Sequence, residues 1–198
     1  MMIKPTIPKP KCVLLDANII IETHNLGVWG VLVDTLELVV SSIVAREEAL
    51  FYVNGELPQA INLERLISEG KIAEIQATAE QIYSMIGYFD RNFIEGLHEG
   101  ETEALALVKA NSVGEALYCT GDAIAIQALA MLGHSETGIS LESLLKQFGL
   151  QKQLDKQFTA KFFRTNIEFG RENRITGRGL RSKAIAQTKR KTTRSSKS

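Results

Sequence analysis

The stretch KCVLLDAN, residues 11–18, decides the fold of this chain. Its apolar run is too short for a helix, so it predicts a buried strand that ends in the carboxylate of Asp16. Asp16 or Asn18 can cap the helix that follows, which contains three consecutive isoleucines and is broken at Gly27. A buried strand followed at once by a helix is the first unit of an α/β fold.

The same alternation of strand and helix continues as far as residue 149. Further strands are expected at 37–41, 72–77, 116–120 and 138–140. A helix is expected from residue 18 to 26, and a second helical stretch follows it through Leu36. Further helices are expected from 42 towards Pro58 and at 62–69, 79–93, 101–111, 122–133, 141–149 and 151–170. This order predicts an α/β domain with a mainly parallel sheet.

The 198 residues, 44% of them hydrophobic, suffice for one buried core with residues left over. The expected organisation is an extended leader at 1–10, the α/β domain at 11–149, a helical extension at 150–172 and a disordered basic tail at 173–198. Within the extension, one helix face is expected to carry Leu154, Phe158 and Phe162.

The net charge of zero hides a strong asymmetry. Residues 171–198 contain ten Lys/Arg and one acid, so a body of about −9 carries a tail of about +9. Such a tail can bind nucleic-acid phosphates without sequence preference. The nucleic-acid-binding candidates are Arg171, Arg174, Arg178 and Arg181. The alternative is a solvated tail without function.

Other classes of protein find no support in the sequence. Cys12 and Cys119 lie in apolar runs typical of buried strands, and the three histidines have no partners at zinc spacing. We expect no signal peptide and no membrane span, and therefore a cytoplasmic protein. No phosphate-binding loop of the P-loop type occurs.

Carboxylates follow the predicted strands at points that can converge. Asp16 and Asp122 each end a strand, Glu101 opens a helix after Gly100, and Glu47 lies on the helix after the second strand. Because the carboxyl ends of parallel strands share one edge, these acids are expected to form one pocket. Clustered carboxylates repel one another unless cations intervene, and oxygen ligands suit Mg²⁺ or Mn²⁺. The alternative for each acid is a helix cap or a solvated side chain.

Four short motifs give this chain a resemblance to the PIN-domain nucleases. They are Leu14-Leu15-Asp16-Ala17-Asn18, Ser41-x-x-Val44-x-x-Glu47, Gly100-Glu101-Thr102-Glu103-Ala104-Leu105-Ala106-Leu107 and Thr120-Gly121-Asp122, in the family's order. The resemblance implies a three-layer α/β/α sandwich and a nuclease that uses metal-activated water to cleave RNA or, as in some branches of the family, DNA, with RNA the favoured substrate. It also implies that Asp16, Glu47, Glu101 and Asp122 are the catalytic and metal-binding residues.

Asn18, Thr120 and Glu103 are the supporting candidates. Asn18 either helps to hold a substrate or a metal-bound water or simply caps the helix, and Thr120 either hydrogen-bonds a carboxylate or a water in the pocket or is an ordinary strand-end residue. Glu47 is favoured over Glu48 by its spacing from Val44, and Glu101 over Glu103 by the apolar positions that follow it. Many members have a second aspartate where this chain has Gly121. Small members of the family are often toxins held by an antitoxin protein, and homodimers are common among them.

Two other functions stay open at this point. Asp16 followed by Asn18 is similar to the start of haloacid-dehalogenase-like phosphatases, but the expected general acid at the second position is an asparagine. A PIN-like module that binds nucleic acid or a protein without cleaving is the other alternative, and Gly121 together with the long C-terminal region motivates it.

Overall fold

A five-stranded parallel sheet forms the centre of the protein in a computed structural model that describes residues 12–55 and 57–181. Its strands are β1 (Cys12–Leu15), β2 (Glu37–Ser41), β5 (Ile72–Ile75), β6 (Leu117–Cys119) and β7 (Gly138–Ile139), in the spatial order β5-β2-β1-β6-β7. All four pairings are parallel. The expected α/β fold with a parallel sheet is confirmed, and β1 lies at the centre.

Helices cover both faces of the sheet. In chain order they are α1 (Ala17–Asn25), α2 (Trp29–Thr35), α3 (Leu63–Ser68), α4 (Ala79–Ile86), α5 (Arg91–Ile94), α6 (Glu99–Lys109), α7 (Ala123–Leu132), α8 (Leu141–Gln147) and α9 (Ala160–Thr176). Alternate strand residues bury themselves on opposite faces: Val13 and Leu15 pack with α1, α2, α3 and α8, whereas Leu14 and Tyr118 pack with α4, α6 and α7.

The region between β2 and α3 differs from the sequence prediction. Where a helix was expected as far as Pro58, a π-helical turn at Val44–Glu48 is followed by an antiparallel hairpin of β3 (Phe51–Asn54) and β4 (Leu57–Ala60). The hairpin does not join the main sheet. It exposes Phe51, Val53 and Leu57, because its apolar side chains alternate without a second layer to cover them.

The long helix expected at 79–93 is two helices. α4 ends at Ile86, and Gly87 follows it, before α5 begins at Arg91. The break lets Phe89 turn into the core, where it is fully buried and stacks on Phe93. Tertiary packing of these aromatic rings therefore overrides the helical pattern.

The C-terminal extension also differs in its boundaries. Residues 150–155 are irregular, Lys156–Phe158 form a 3₁₀ turn, and Phe158 precedes α9 instead of lying on it. α9 runs through Thr176, so the tail boundary expected at 173 falls inside this helix. α9 packs on α7, and at Gly170 the two backbones are so close that a Cβ atom would collide with the Gln127 carbonyl oxygen and the Ala130 methyl group.

Beyond α9, the chain returns to the body. Leu180 forms a β-bridge with Phe89 and is buried. The leader expected at 1–10 and the tail after residue 181 lie outside the described residues. In the part of the chain that is described, no helix has the length and apolar character needed to cross a bilayer. Cys12 and Cys119 are free thiols.

Candidate functional site

Asp16 and Thr120 lie side by side at the carboxyl ends of β1 and β6. The parallel register pairs Leu15 with Cys119, and the Asp16 amide donates to the Cys119 carbonyl at 3.1 Å. The Asp16 carboxylate is only 3% exposed and accepts the Thr120 hydroxyl at 2.6 Å and the Ala17 amide at 2.8 Å. Both of its oxygens are therefore held in place.

Asp122 begins the next helix beside this pair. One oxygen, Oδ1, accepts the amides of Ile124 at 2.7 Å and Ala125 at 2.8 Å, which makes Asp122 the N-cap of α7. The Thr120 hydroxyl oxygen accepts the Asp122 amide at 3.0 Å, so Thr120 links the two aspartates. Among the described residues, no hydrogen bond reaches the other oxygen of Asp122. The capping role is therefore real, and it leaves one oxygen available.

Glu101 lies in the first turn of α6 and is 5% exposed. Its Oε2 accepts the His98 amide at 3.0 Å. A carboxylate at this position also interacts favourably with the positive end of the helix dipole. As with Asp122, one oxygen is held by the backbone and the other has no hydrogen bond within the described residues.

Glu48, and not Glu47, completes the cluster. In the π-helical turn the Ala49 amide donates to the Val44 carbonyl at 3.0 Å, five residues back. This wider turn rotates Glu47 away from the direction of Val44, and Glu47 is exposed. Glu48 instead turns inward, and its Oε1 accepts the Gly100 amide at 2.9 Å. Glu48 takes the position that the sequence assigned to Glu47.

Gly100 has a physical reason to lack a side chain. A Cβ atom there would overlap the carboxylate of Glu48, whose oxygens lie against the first turn of α6. The Gly100–Glu101 pair therefore brings two acids to one helix N-terminus, one through its own side chain and one by accepting its amide. The sequence signal for Glu48 was its position beside Glu47, and spacing from Val44 alone favoured Glu47.

The electrostatics tie the four acids into one site. Burial raises the pKa of Asp16 to about 6, with smaller contributions from Glu48 and Asp122. Burial raises the pKa of Glu101 to about 8, and Asp122, Asp16 and Glu48 add to the rise. Hydrogen bonds from Thr120 and Ala17 to Asp16 oppose its shift. Each of these two acids thus senses the charge of the other members, which the sequence predicted for an acidic pocket.

The donor set suits a hard divalent cation. Glu48, Glu101 and Asp122 each have one oxygen fixed by a backbone amide and a second oxygen without a hydrogen bond from any described residue. As the side chains stand, no group of three His, Cys, Asp or Glu residues in the described ranges is arranged to hold a metal ion. Repulsion between the free oxygens opposes closer approach, so a cation would have to draw these side chains together.

Glu103 has a structural position next to this site. It is 2% exposed, and its carboxylate accepts the Ser42 hydroxyl at 2.9 Å, the Ile43 amide at 2.9 Å and the Ala77 amide at 3.0 Å. It therefore ties the ends of β2 and β5 to α6. Because the π-helical turn begins at Val44, Glu103 positions Glu48 rather than joining the acidic cluster.

Asn18 and Gly121 meet at the edge of the site. The Gly121 amide donates to Asn18 Oδ1 at 3.3 Å. A Cβ atom on Gly121 would come within 2.8 Å of the Phe158 ring, which is buried. Phe158 thus occupies the space where a side chain at position 121 would begin, which explains the glycine at the place of the expected second aspartate. Nothing local in the sequence indicated this contact.

The four arginines proposed for nucleic acid have different surroundings. Arg171 pairs with Glu136 at 3.0 Å on the surface, and the Arg174 guanidinium lies against Gly133 at the carboxyl end of α7. Arg178 lines a groove of about 1000 Å³ between α5, α7 and α9, and Arg181 is exposed. The four acids are not among the residues that line this groove. One lining residue, Ile124, donates its backbone amide to the Asp122 carboxylate.

The comparisons with known proteins add no relative to this description. No family model matches the chain, and no curated protein sequence matches it.

Proposed function

We propose that this chain is a divalent-metal-dependent nuclease of the PIN-like type that cleaves phosphodiester bonds in RNA. The observation that carries the proposal is the convergence of Asp16, Glu48, Glu101 and Asp122 at one edge of the parallel sheet. Each of these acids is held by at least one backbone amide. A cluster of buried carboxylates costs free energy unless it serves a ligand of opposite charge.

The residues divide the work in a way that follows from their contacts. Glu48, Glu101 and Asp122 offer one free oxygen each to Mg²⁺ or Mn²⁺, whereas Thr120 fixes Asp16 between them. When bound, such a cation lowers the pKa of water and neutralises negative charge on the scissile phosphate. Glu101, whose pKa of about 8 keeps it protonated at neutral pH, would have to release that proton to bind a cation.

The choice of RNA rests on the resemblance of the four motifs, supported by the parallel α/β fold. The basic C-terminal region supports a nucleic-acid substrate, since Arg178 and Arg181 add exposed positive charge just beyond α9. The acidic body repels a polyanion such as RNA, and positive charge nearby offsets that repulsion.

A partner protein is part of the same proposal. The hairpin of β3 and β4 exposes Phe51 and Val53 on one face, paired with Ala60 and Pro58, a surface suited to an apolar contact. An antitoxin of a toxin–antitoxin pair, or a second copy of the chain, would take this surface. Size-exclusion chromatography of the purified chain distinguishes a homodimer from a monomer that still requires its partner.

The experiment that tests the proposal compares two adjacent acids. Mn²⁺ is titrated by calorimetry into the wild type, Glu48→Gln and Glu47→Gln, and cleavage of a labelled single-stranded RNA is followed with and without a chelator. We expect Glu48→Gln to lose saturable binding and cleavage, because it removes a charged oxygen from the cluster. The matched control, Glu47→Gln, should behave as the wild type because Glu47 is exposed.

A second candidate is a PIN-like module that binds RNA or a protein without cleaving it. Phe158 favours this candidate, because its ring fills the place of a further acid at Gly121. RNA binding without cleavage in both Mg²⁺ and Mn²⁺ would support it. Equal Mn²⁺ binding by Glu48→Gln and the wild type would instead remove the assigned metal site from either candidate.

A further inference from the structure

Tyr118 lies beneath the acidic site in the centre of the sheet. It is a residue of β6, it pairs with Leu14 of β1, and it is fully buried on the face covered by α4, α6 and α7. Because side chains alternate along a strand, Asp16 and Thr120 come next on this same face, two residues after Leu14 and Tyr118. Tyr118 therefore lies on the same face of the sheet as Asp16 and Thr120, next to them along the strands.

The Tyr118 hydroxyl has no hydrogen-bond partner among the described residues. Thr120, the nearest hydroxyl along the strand, donates to Asp16 and accepts from the Asp122 amide; it lies close enough to Tyr118 to lower the pKa of the phenol, but not in hydrogen-bond geometry with it. The half-buried Tyr88 hydroxyl, by contrast, donates to the Met131 carbonyl at 3.3 Å. A buried hydroxyl left unpaired is costly, and a phenylalanine would fill the same space without that cost. The hydroxyl of Tyr118 thus has no explanation in packing.

The surroundings of this hydroxyl are acidic. Burial raises the pKa of Tyr118 well above its ordinary value, and the charges of Asp16, Glu101 and Asp122 raise it further, whereas the neighbouring Thr120 hydroxyl opposes the rise. The three carboxylates act on the phenol because they lie near it. Tyr118 therefore keeps its proton, and its buried hydroxyl is a hydrogen-bond donor near the acidic cluster.

We propose that Tyr118 is a positioning residue of the cation site, donating a hydrogen bond to an ordered water that enters the acidic cluster together with the divalent ion. The inference rests on the proposed function, because it requires that the cluster binds a cation. A water is the smallest ligand that can join a buried donor to carboxylate oxygens, and a polar space with several partners retains it. Groups that orient the ligands of a metal ion in this way change its affinity without touching it.

The test is the substitution Tyr118→Phe, with Tyr88→Phe as the matched control. Thermal unfolding is measured in chelator-treated buffer, and Mn²⁺ binding is measured by calorimetry on the same preparations. We expect Tyr118→Phe to unfold at the wild-type temperature or higher, because it removes an unpaired buried hydroxyl. We expect it to bind Mn²⁺ about 10-fold more weakly. Tyr88→Phe should unfold about 2–4 °C lower and bind Mn²⁺ as the wild type does.

The outcomes separate this inference from the function on which it rests. Failure of the wild type to bind Mn²⁺ would overturn both. Binding by the wild type and equal binding by Tyr118→Phe would overturn the role of Tyr118 alone. Weaker binding combined with unfolding as low as that of Tyr88→Phe would also overturn it, since the hydroxyl would then be a structural partner within the protein.

Discussion

The acidic edge of the sheet and the basic C-terminal helix represent two ways of placing charge on a protein. At the edge, Asp16 and Glu101 are buried and hydrogen-bonded to backbone amides. On α9 and just beyond it, Arg171, Arg178 and Arg181 are exposed. A metal site needs fixed oxygens at short range, whereas attraction of phosphates acts over a distance near the Debye length and needs no fixed geometry. Buried charges in a fixed geometry therefore suit metal binding and catalysis, whereas exposed charges suit the attraction of nucleic acid.

The largest expected effect comes from the acid whose two oxygens have separate roles. In Asp122→Asn, the amide oxygen can still accept from Ile124 and Ala125, so the cap of α7 and the fold should persist. The loss of negative charge should lower metal-dependent cleavage at least about 100-fold. Cleavage rates and circular dichroism on the same sample measure both effects. Full activity in this variant would mean that Asp122 is a helix cap and nothing more.

The next effect tests why Gly121 lacks the expected acid. Gly121→Asp should lower the free energy of unfolding by roughly 2–3 kcal/mol, because the new side chain collides with the buried Phe158 ring. Thermal unfolding should then shift down by about 5–10 °C. In a double-mutant cycle with Phe158→Leu, the cost of the aspartate should shrink. An equal cost in both backgrounds would mean that the ring is not what excludes a side chain at 121.

These two residues also show how far the sequence could predict the protein. The strand at 12–15 and the cap at Asp122 depend on local patterns, so the parallel sheet and three of the four site acids could be predicted. The collision between Phe158 and Gly121 depends on a contact across 37 positions of the sequence. No pattern within one element encodes such a contact.

Two further differences have local causes that a helical pattern conceals. Choosing Glu48 over Glu47 requires knowledge of the five-residue hydrogen bond from Ala49 to Val44. α-Helical spacing from Val44 does not include that bond. The Tyr118 hydroxyl was missed because a tyrosine in an apolar strand is usually just a core residue, and only its unpaired hydroxyl distinguishes it.

A smaller effect is expected in the pH dependence of stability without metal. Glu101 has a folded pKa of about 8, raised from 4.5, so its protonated form stabilises the fold. That stability is fully present below pH 4.5 and is lost as the pH rises through 8. The unfolding temperature in chelator should therefore fall by about 5 °C across this range. Asp16, raised from 3.8 to about 6, contributes to the lower part of the same fall.

The control for this pH dependence lies on the same helical turn. Glu101→Gln should flatten the fall between pH 6 and 8, whereas Glu99→Gln should keep it, because Glu99 is exposed. Saturating Mn²⁺ should also flatten it, since the ion binds the ionised cluster. If the unfolding temperature of Glu101→Gln fell with pH as steeply as that of the wild type, the pH dependence would come from groups outside the acidic edge of the sheet.

The smallest effect belongs to the arginines, and it tests the other side of the comparison. Arg178→Ala should weaken binding of single-stranded RNA about threefold at moderate salt and reduce the salt slope by about one unit, because it removes one phosphate contact. Arg171→Ala is the matched control, since its guanidinium is already paired with Glu136 at 3.0 Å. Fluorescence anisotropy at several salt concentrations measures both slopes. Cleavage per bound RNA should stay constant in Arg178→Ala, because recruitment by exposed charge does not alter the geometry of the carboxylates; a lower rate at saturating RNA would instead place Arg178 within the site.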